Sequence, residues 1–175
     1  MQTTTHNFIF PTVQRVTSGF RPPERPDHHG VDFAEAGYHE IKAAATGTVS
    51  RSYYSDSYGE VIFIVHNIQG QIYETVYAHL REGSRRVIEG ATVVQGAVIG
   101  VMGNTCDSHG QHLHFELHLG RWNDNKTNAI NPLPLLGVGD GEDEGGGGWT
   151  PRPPSEFIPI NRHNTNMRRM GVRGR

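Results

Sequence analysis

The chain has 175 residues, of which 35% are apolar and 19% charged. That suffices for one packed domain but is thin for the whole length, so a folded part and an unpacked remainder are expected. A net charge of −2 argues against a nucleic-acid binder, the single cysteine excludes an internal disulfide or a cysteine-rich zinc knuckle, and no stretch approaches the ~20 apolar residues of a membrane span.

From the N-terminus, MQTTTHNFIFPTVQRV has no basic segment followed by an apolar run, so no secretory signal is expected. DHHGVDF (27–33) sets histidine and carboxylate around Gly30. GTVSRSYY (47–54) and EVIFIVHN (60–67) flank the turn-forming SDSYG, and QIYETVYAHL (71–80) follows IQG. These three segments predict an antiparallel meander. In VIEGATVVQGAVIGVMG (87–103) the glycines are spaced for short strands and tight turns. HLHFELHL (112–119) alternates, placing His112, His114, Glu116 and His118 on one face and Leu113, Phe115, Leu117 and Leu119 on the other. No amphipathic helix exceeds two turns, so the predicted class is all-β.

The composition changes at Gly137. GVGDGEDEGGGGW is acidic and glycine-rich, and PRPPSEFIPINRHNTNMRRMGVRGR is rich in proline and arginine without an apolar face. The reading is a domain over 1–136, a linker over 137–150, and a tail over 151–175 that is flexible or docks on a partner.

Eleven histidines make histidine the ligand and proton carrier to follow. His6, His39, His66, His109 and His163 stand alone and receive no role. On a strand, His112 and His114 share a face with Cβ atoms ~6.6 Å apart. Such a pair serves one small site, either as two ligands or as one ligand and one base. Fully extended, His28 and Asp32 would lie ~13 Å apart, so they share a metal only if the chain bends between them, where Gly30 permits it. A histidine, an aspartate and a histidine from a second strand make a three-ligand zinc site with an open fourth position, the pattern of a catalytic rather than a structural site.

In order along the chain, TSGFR (17–21), HHGVDFA (28–34, H-x-G-x-D), A-x-G-T-V (45–49), YAHL (77–80), IGVMGNT (99–105), HLHFEL (112–117) and NAINPLPLL (128–136) resemble the lysostaphin/LytM-type zinc endopeptidases, which cleave peptide bonds in bacterial cell-wall peptidoglycan. The resemblance covers about residues 17–133. It implies an antiparallel β-sheet domain with a groove flanked by loops. It also implies one Zn2+ held by His28, Asp32 and His114, with His79 and His112 as the two non-ligand catalytic histidines. The family pattern sets the ligand two residues before the glycine, which selects His28 over His29. His112 is the first choice for general base, and His79 then assists proton transfer or stabilises the oxyanion. Tyr77, two residues from His79, is expected on the same face, and Glu116 behind the ligands rather than among them. One departure is Cys106, which stands where G-N-T-G loops end in glycine.

The function implied is a zinc-dependent peptidoglycan endopeptidase. The alternatives are a catalytically inactive wall-binding or activator module, and a zinc D-alanyl-D-alanine carboxypeptidase. With no secretory signal read, a bacteriophage setting is expected: a virion tail lysin, or an endolysin released at host lysis. Other tail proteins would be partners through 137–175, with neither nucleic acid nor membrane as partner.

Overall fold

The computed structural model describes residues 7–106 and 110–137. In chain order its strands are β1 (Phe8–Ile9), β2 (Val16–Ser18), β3 (Val31–Phe33), β4 (Glu40–Lys42), β5 (Gly47–Ser55), β6 (Gly59–Ile68), β7 (Gln71–Leu80), β8 (Thr92–Val93), β9 (Val98–Val101), β10 (Leu113–Leu119), β11 (Ala129–Ile130) and β12 (Leu136–Gly137). A three-residue 3-10 turn, Leu133–Leu135, is the one helical element among the described residues. The all-β class read from the sequence therefore holds.

The main sheet runs β2-β3-β10-β7-β6-β5-β8, with β11 added beside β10. Its pairs are antiparallel, and the expected meander is β5, β6 and β7. A second pair, β4 with β9, is also antiparallel, whereas β1 and β12 pair in parallel. The sequence breaks predicted at glycines 90 and 96 lie just before β8 and β9.

Alternation decides what each face carries. Leu113, Phe115 and Leu117 of β10 point into the main core with Phe33, Ile62, Ile64 and Tyr77. That core is closed over by Ile41, Ala43 to Ala45, Ile99 and Met102. The opposite face of the sheet carries a smaller cluster of Tyr58, Val61, Phe63, Val76 and Ala78, with Trp122 against it. The polar positions of β10 lie on this second face. At ~1.5–3 kcal/mol for each large apolar side chain buried, the first face anchors β10 strongly enough to fix where the second face points.

Gly30 plays a different part from the one its freedom suggested. Its φ is not among the positive values. A Cβ there would fall 2.5 Å from the Phe115 carbonyl oxygen and 2.8 Å from the His114 ring. Glycine is required because β10 passes so close, which lets Asp32 pair opposite His114. The fold extends to Gly137 in β12, paired with Ile9. The chain divides into one unit, Met1–Asp143, and a second, Glu144–Arg175. The tail, and the linker beyond Gly137, lie outside the described residues.

Candidate metal centre and active site

Two strands and the bend before one of them bring three side chains to one point. Asp32 on β3 and His114 on β10 are direct cross-strand partners. His28 precedes β3 and folds back over it, its backbone bonded to Arg21 and Arg25. His28 Nε2 lies 3.1 Å from Asp32 Oδ1 and 3.1 Å from His114 Nδ1, and His114 Nδ1 lies 2.8 Å from Asp32 Oδ1. All three side chains are buried.

The hydrogen bonds behind these atoms set what they present. His28 Nδ1 donates to the Gly19 carbonyl at 2.6 Å, which leaves a lone pair on Nε2. His114 Nε2 donates to Glu116 Oε1 at 3.0 Å, which commits Nδ1 to face Asp32. Three acceptor atoms thus converge, and a buried set of this kind calls for positive charge. Burial opposes it, but the bonds to Asp32 and Glu116 raise the pKa of the His114 ring. Likewise burial works against the Asp32 carboxylate, yet a proton on the facing nitrogens of His114 and His28 makes them hydrogen-bond donors to it, and these bonds hold it well below the usual carboxylate range. A divalent cation supplies the same charge in place of a proton. Zinc bonds of ~2.0–2.1 Å in a tetrahedron set ligand atoms about 3.3 Å apart, close to the spacing found here. The donor set of two imidazoles and one carboxylate fits zinc.

Glu116 is fully buried behind His114. Its Oε1 also accepts from the Tyr58 hydroxyl at 2.8 Å and from Lys126 Nζ at 2.9 Å, and its Oε2 accepts from His118 Nε2 at 2.8 Å. Burial opposes the charge, but the hydrogen bonds from His114 and His118, with the charges of His114 and Lys126, hold the Glu116 carboxyl far below its ordinary range. Burial and the Glu116 charge in turn push the Tyr58 phenol upward, so its O–H stays a donor. Glu116 fixes the tautomer and orientation of His114 rather than meeting the metal position.

His79 reaches the site through a backbone irregularity. β6 and β7 stay in register from Ile68↔Gln71 to Ile62↔Tyr77, and then Glu60 pairs with Leu80. The extra residue is a β-bulge at Ala78 and His79, and His79 adopts φ +59. The bulge swings the His79 ring to 4.8 Å from His112 and 6.1 Å from His114, centroid to centroid. His79 Nδ1 donates to the Thr105 carbonyl at 2.9 Å, and His112 Nδ1 to the Gly110 carbonyl at 2.9 Å. Each ring therefore keeps Nε2 as a proton acceptor. Burial, assisted by His112 and His114, pushes the His79 pKa down to about 4 despite the Thr105 bond, so its ring is neutral at pH 7.

The same bulge corrects the expectation for Tyr77. Alternation counted through the bulge put it on the face of His79. In the structure it lies opposite Phe115, fully buried in the main core, with its hydroxyl bonded to Ala44 N and Thr75. It does not touch the site. His29 is half-buried and lines the cleft beside His28. Burial, then the charges of Lys126 and Arg21, lower its pKa. Cys106 is not among the converging residues; its thiol bonds the Asp56 carbonyl and its φ is +68, the region that favours glycine. His109 lies outside the described residues.

The cleft above the three converging residues has a volume of about 180 Å³ and is lined also by Arg25, Asp27, Ser57, Tyr58, His79 and Lys126. Sequence reasoning missed Tyr58, Lys126 and Arg25. Tyr58 closes an unremarkable turn, and the other two sit in loops without a motif. The pairing of β6, β7 and β10 brings Tyr58 to the histidines, whereas Arg25 and Lys126 reach the site from the loops before β3 and after β10.

The sequence of residues 26–132 matches Peptidase family M23. The chain belongs to that family. This M23 domain is 38% identical over 130 residues to an uncharacterized metalloprotease of Haemophilus influenzae, a match covering 69% of this chain and 25% of that protein. It is 34% identical over 113 residues to the DD-carboxypeptidase/endopeptidase Mpg of Neisseria meningitidis, covering 65% of this chain and 25% of that one. The chain thus spans about a quarter of the length of the curated relatives it matches. Among solved structures, the M23 domain is similar to the antimicrobial peptidase lysostaphin from Staphylococcus simulans, with a TM-score of 0.64 and 28% identity, over 87% of this chain and 61% of that one. M23 proteins are zinc-dependent metallopeptidases.

Proposed function

We propose that this chain is a zinc-dependent endopeptidase that hydrolyses peptide bonds in bacterial cell-wall peptidoglycan. The observation that carries the reading is the convergence of His28, Asp32 and His114 beside the His79–His112 pair, in a chain of the M23 family. Zinc, when bound to the three converging residues, supplies a Lewis acid for the scissile carbonyl and lowers the pKa of a water from 15.7 to about 7.

The chain's own groups do the rest. His112, half-exposed with Nε2 turned from its Gly110 bond, accepts the proton of the attacking water and returns one to the leaving amine. His79 is more deeply held and neutral, and steadies that proton transfer from the adjacent ring. Glu116, locked by Tyr58, Lys126 and His118, keeps His114 from rotating. All five histidine and aspartate positions are filled, which disfavours an inactive binding module. The wall peptide is the proposed partner, and the phage setting read from the sequence belongs to the same proposal. Mass spectrometry of purified virions tests that setting.

A carboxypeptidase is the second reading, favoured by the double name of the Neisseria relative. Digestion of purified sacculi separates the two. Endopeptidase action converts cross-linked muropeptide dimers to monomers without free D-alanine. Release of D-alanine with dimers intact would replace this reading with the second.

A further inference from the structure

The cleft carries two cations from separate elements. Arg25 precedes β3, and its Nη1 donates to Asp32 Oδ2 at 3.2 Å. Lys126 belongs to the segment between β10 and β11, and its Nζ donates to Glu116 Oε1 at 2.9 Å while lying 4.6 Å over the Tyr58 ring. Both line the cleft above the converging histidines. The Arg25 side chain is 55% exposed and Asp32 is its one side-chain partner among the described residues, so most of its N–H donors are uncommitted.

Neutralisation of the site carboxylates explains only part of this. Glu116 already accepts from His114, Tyr58 and His118 besides Lys126. With a divalent cation on the three converging donors, the ion answers the Asp32 charge and Arg25 is left in excess. Asp27 lines the same cleft and is exposed, and it offsets only part of the positive charge. A guanidinium with free donors beside the reacting centre suits a planar anion bound through two parallel hydrogen bonds.

Resting on the endopeptidase reading above, we propose that Arg25, seconded by Lys126, receives a free carboxylate of the wall peptide next to the scissile bond. The domain then prefers carboxylate-bearing cross-links over amidated ones and over uncharged oligoglycine bridges.

The test uses the full zinc-loaded chain and two synthetic directly cross-linked peptide dimers, identical except that the carboxylate beside the scissile bond is free or a carboxamide. A pentaglycine-bridged dimer is the third substrate. Wild type is expected to show kcat/KM about tenfold or more higher on the free carboxylate than on either of the others. Calorimetric binding of the single-strand product peptides, acid against amide, should show the same preference and its loss at high salt. In Arg25→Gln both ratios fall to within about twofold of one, whatever the absolute rate, and Arg25→Lys keeps part of the preference. Lys126→Gln lowers the ratios less. Wild-type ratios near one, with the dimers cleaved, would overturn the carboxylate proposal and leave the endopeptidase reading standing. If no dimer is cleaved, the endopeptidase reading fails, and the binding ratio still decides whether a carboxylate is read.

Discussion

Glu116 is the residue on which the most contacts at this centre depend. It is an ionised carboxylate without solvent, held by four donors from β10, the β5–β6 turn and the segment before β11. Glu116→Gln keeps the shape, removes the charge that Lys126 faces, and offers an amide donor to at least one group that already donates. Partners of metal-bound histidines of this kind are worth 10–100-fold in metal affinity. Zinc affinity of the variant, measured by chelator competition, should fall by about that range while the protein stays folded. The neighbouring pair His28 and His29 gives a sharper result. His28 Nε2 faces Asp32 and His114, whereas His29 only lines the cleft. His28→Ala should purify without zinc and His29→Ala with one zinc per chain, by elemental analysis; the opposite outcome would give the ligand position to His29.

At the scale of elements, the close passage of β10 over the chain before β3 ties packing to the site. A methyl at residue 30 would meet the Phe115 carbonyl and the His114 ring, which is held by Asp32 and Glu116 and does not yield. Gly30→Ala is expected to cost at least about 2 kcal/mol in urea unfolding and to lower zinc affinity as well. β6 contributes a different test. His66 is fully buried, with Nδ1 donating to the Thr46 carbonyl at 2.9 Å and Nε2 2.7 Å from the Thr75 hydroxyl. Burial lowers its pKa from 6.5, against the opposing pulls of Thr46 and Glu74. The unfolded chain therefore binds more protons than the folded one just below pH 6.5, and stability falls as the pH drops through that range. The slope of unfolding free energy between pH 7 and 5 should be shallower in His66→Gln than in wild type.

Strand legibility stops at irregularities. The alternation in 112–119 separated the core face of β10 from its polar face because apolar and polar residues strictly alternate there. Counting by two through VYAHL put Tyr77 and His79 together, since nothing in those five residues marks the bulge that separates them. The Cys106 departure was visible as a missing glycine, and its meaning, a left-handed backbone at φ +68, is visible only in the fold.

At the scale of the whole molecule, the sheet works as a two-sided plate. One face is anchored in the main core, and this makes the other face rigid enough to hold side chains from β3, β7 and β10 at one point. The candidate ligands were legible because each sits in a short local pattern. Tyr58 was not, because its contact with the centre depends on strand order, which no local pattern encodes; Arg25 and Lys126 lie only seven and ten residues from Asp32 and Glu116 but belong to no motif. The central claim is that the three converging residues hold one metal ion on which hydrolysis depends. Its most direct test is a titration: chelated protein is given zinc in steps, and cleavage of cross-linked muropeptides is followed together with bound metal. Activity should rise linearly and saturate at one zinc per chain in wild type, with neither binding nor activity in Asp32→Ala. Cleavage by fully chelated protein, or one tightly bound zinc in Asp32→Ala, would contradict it.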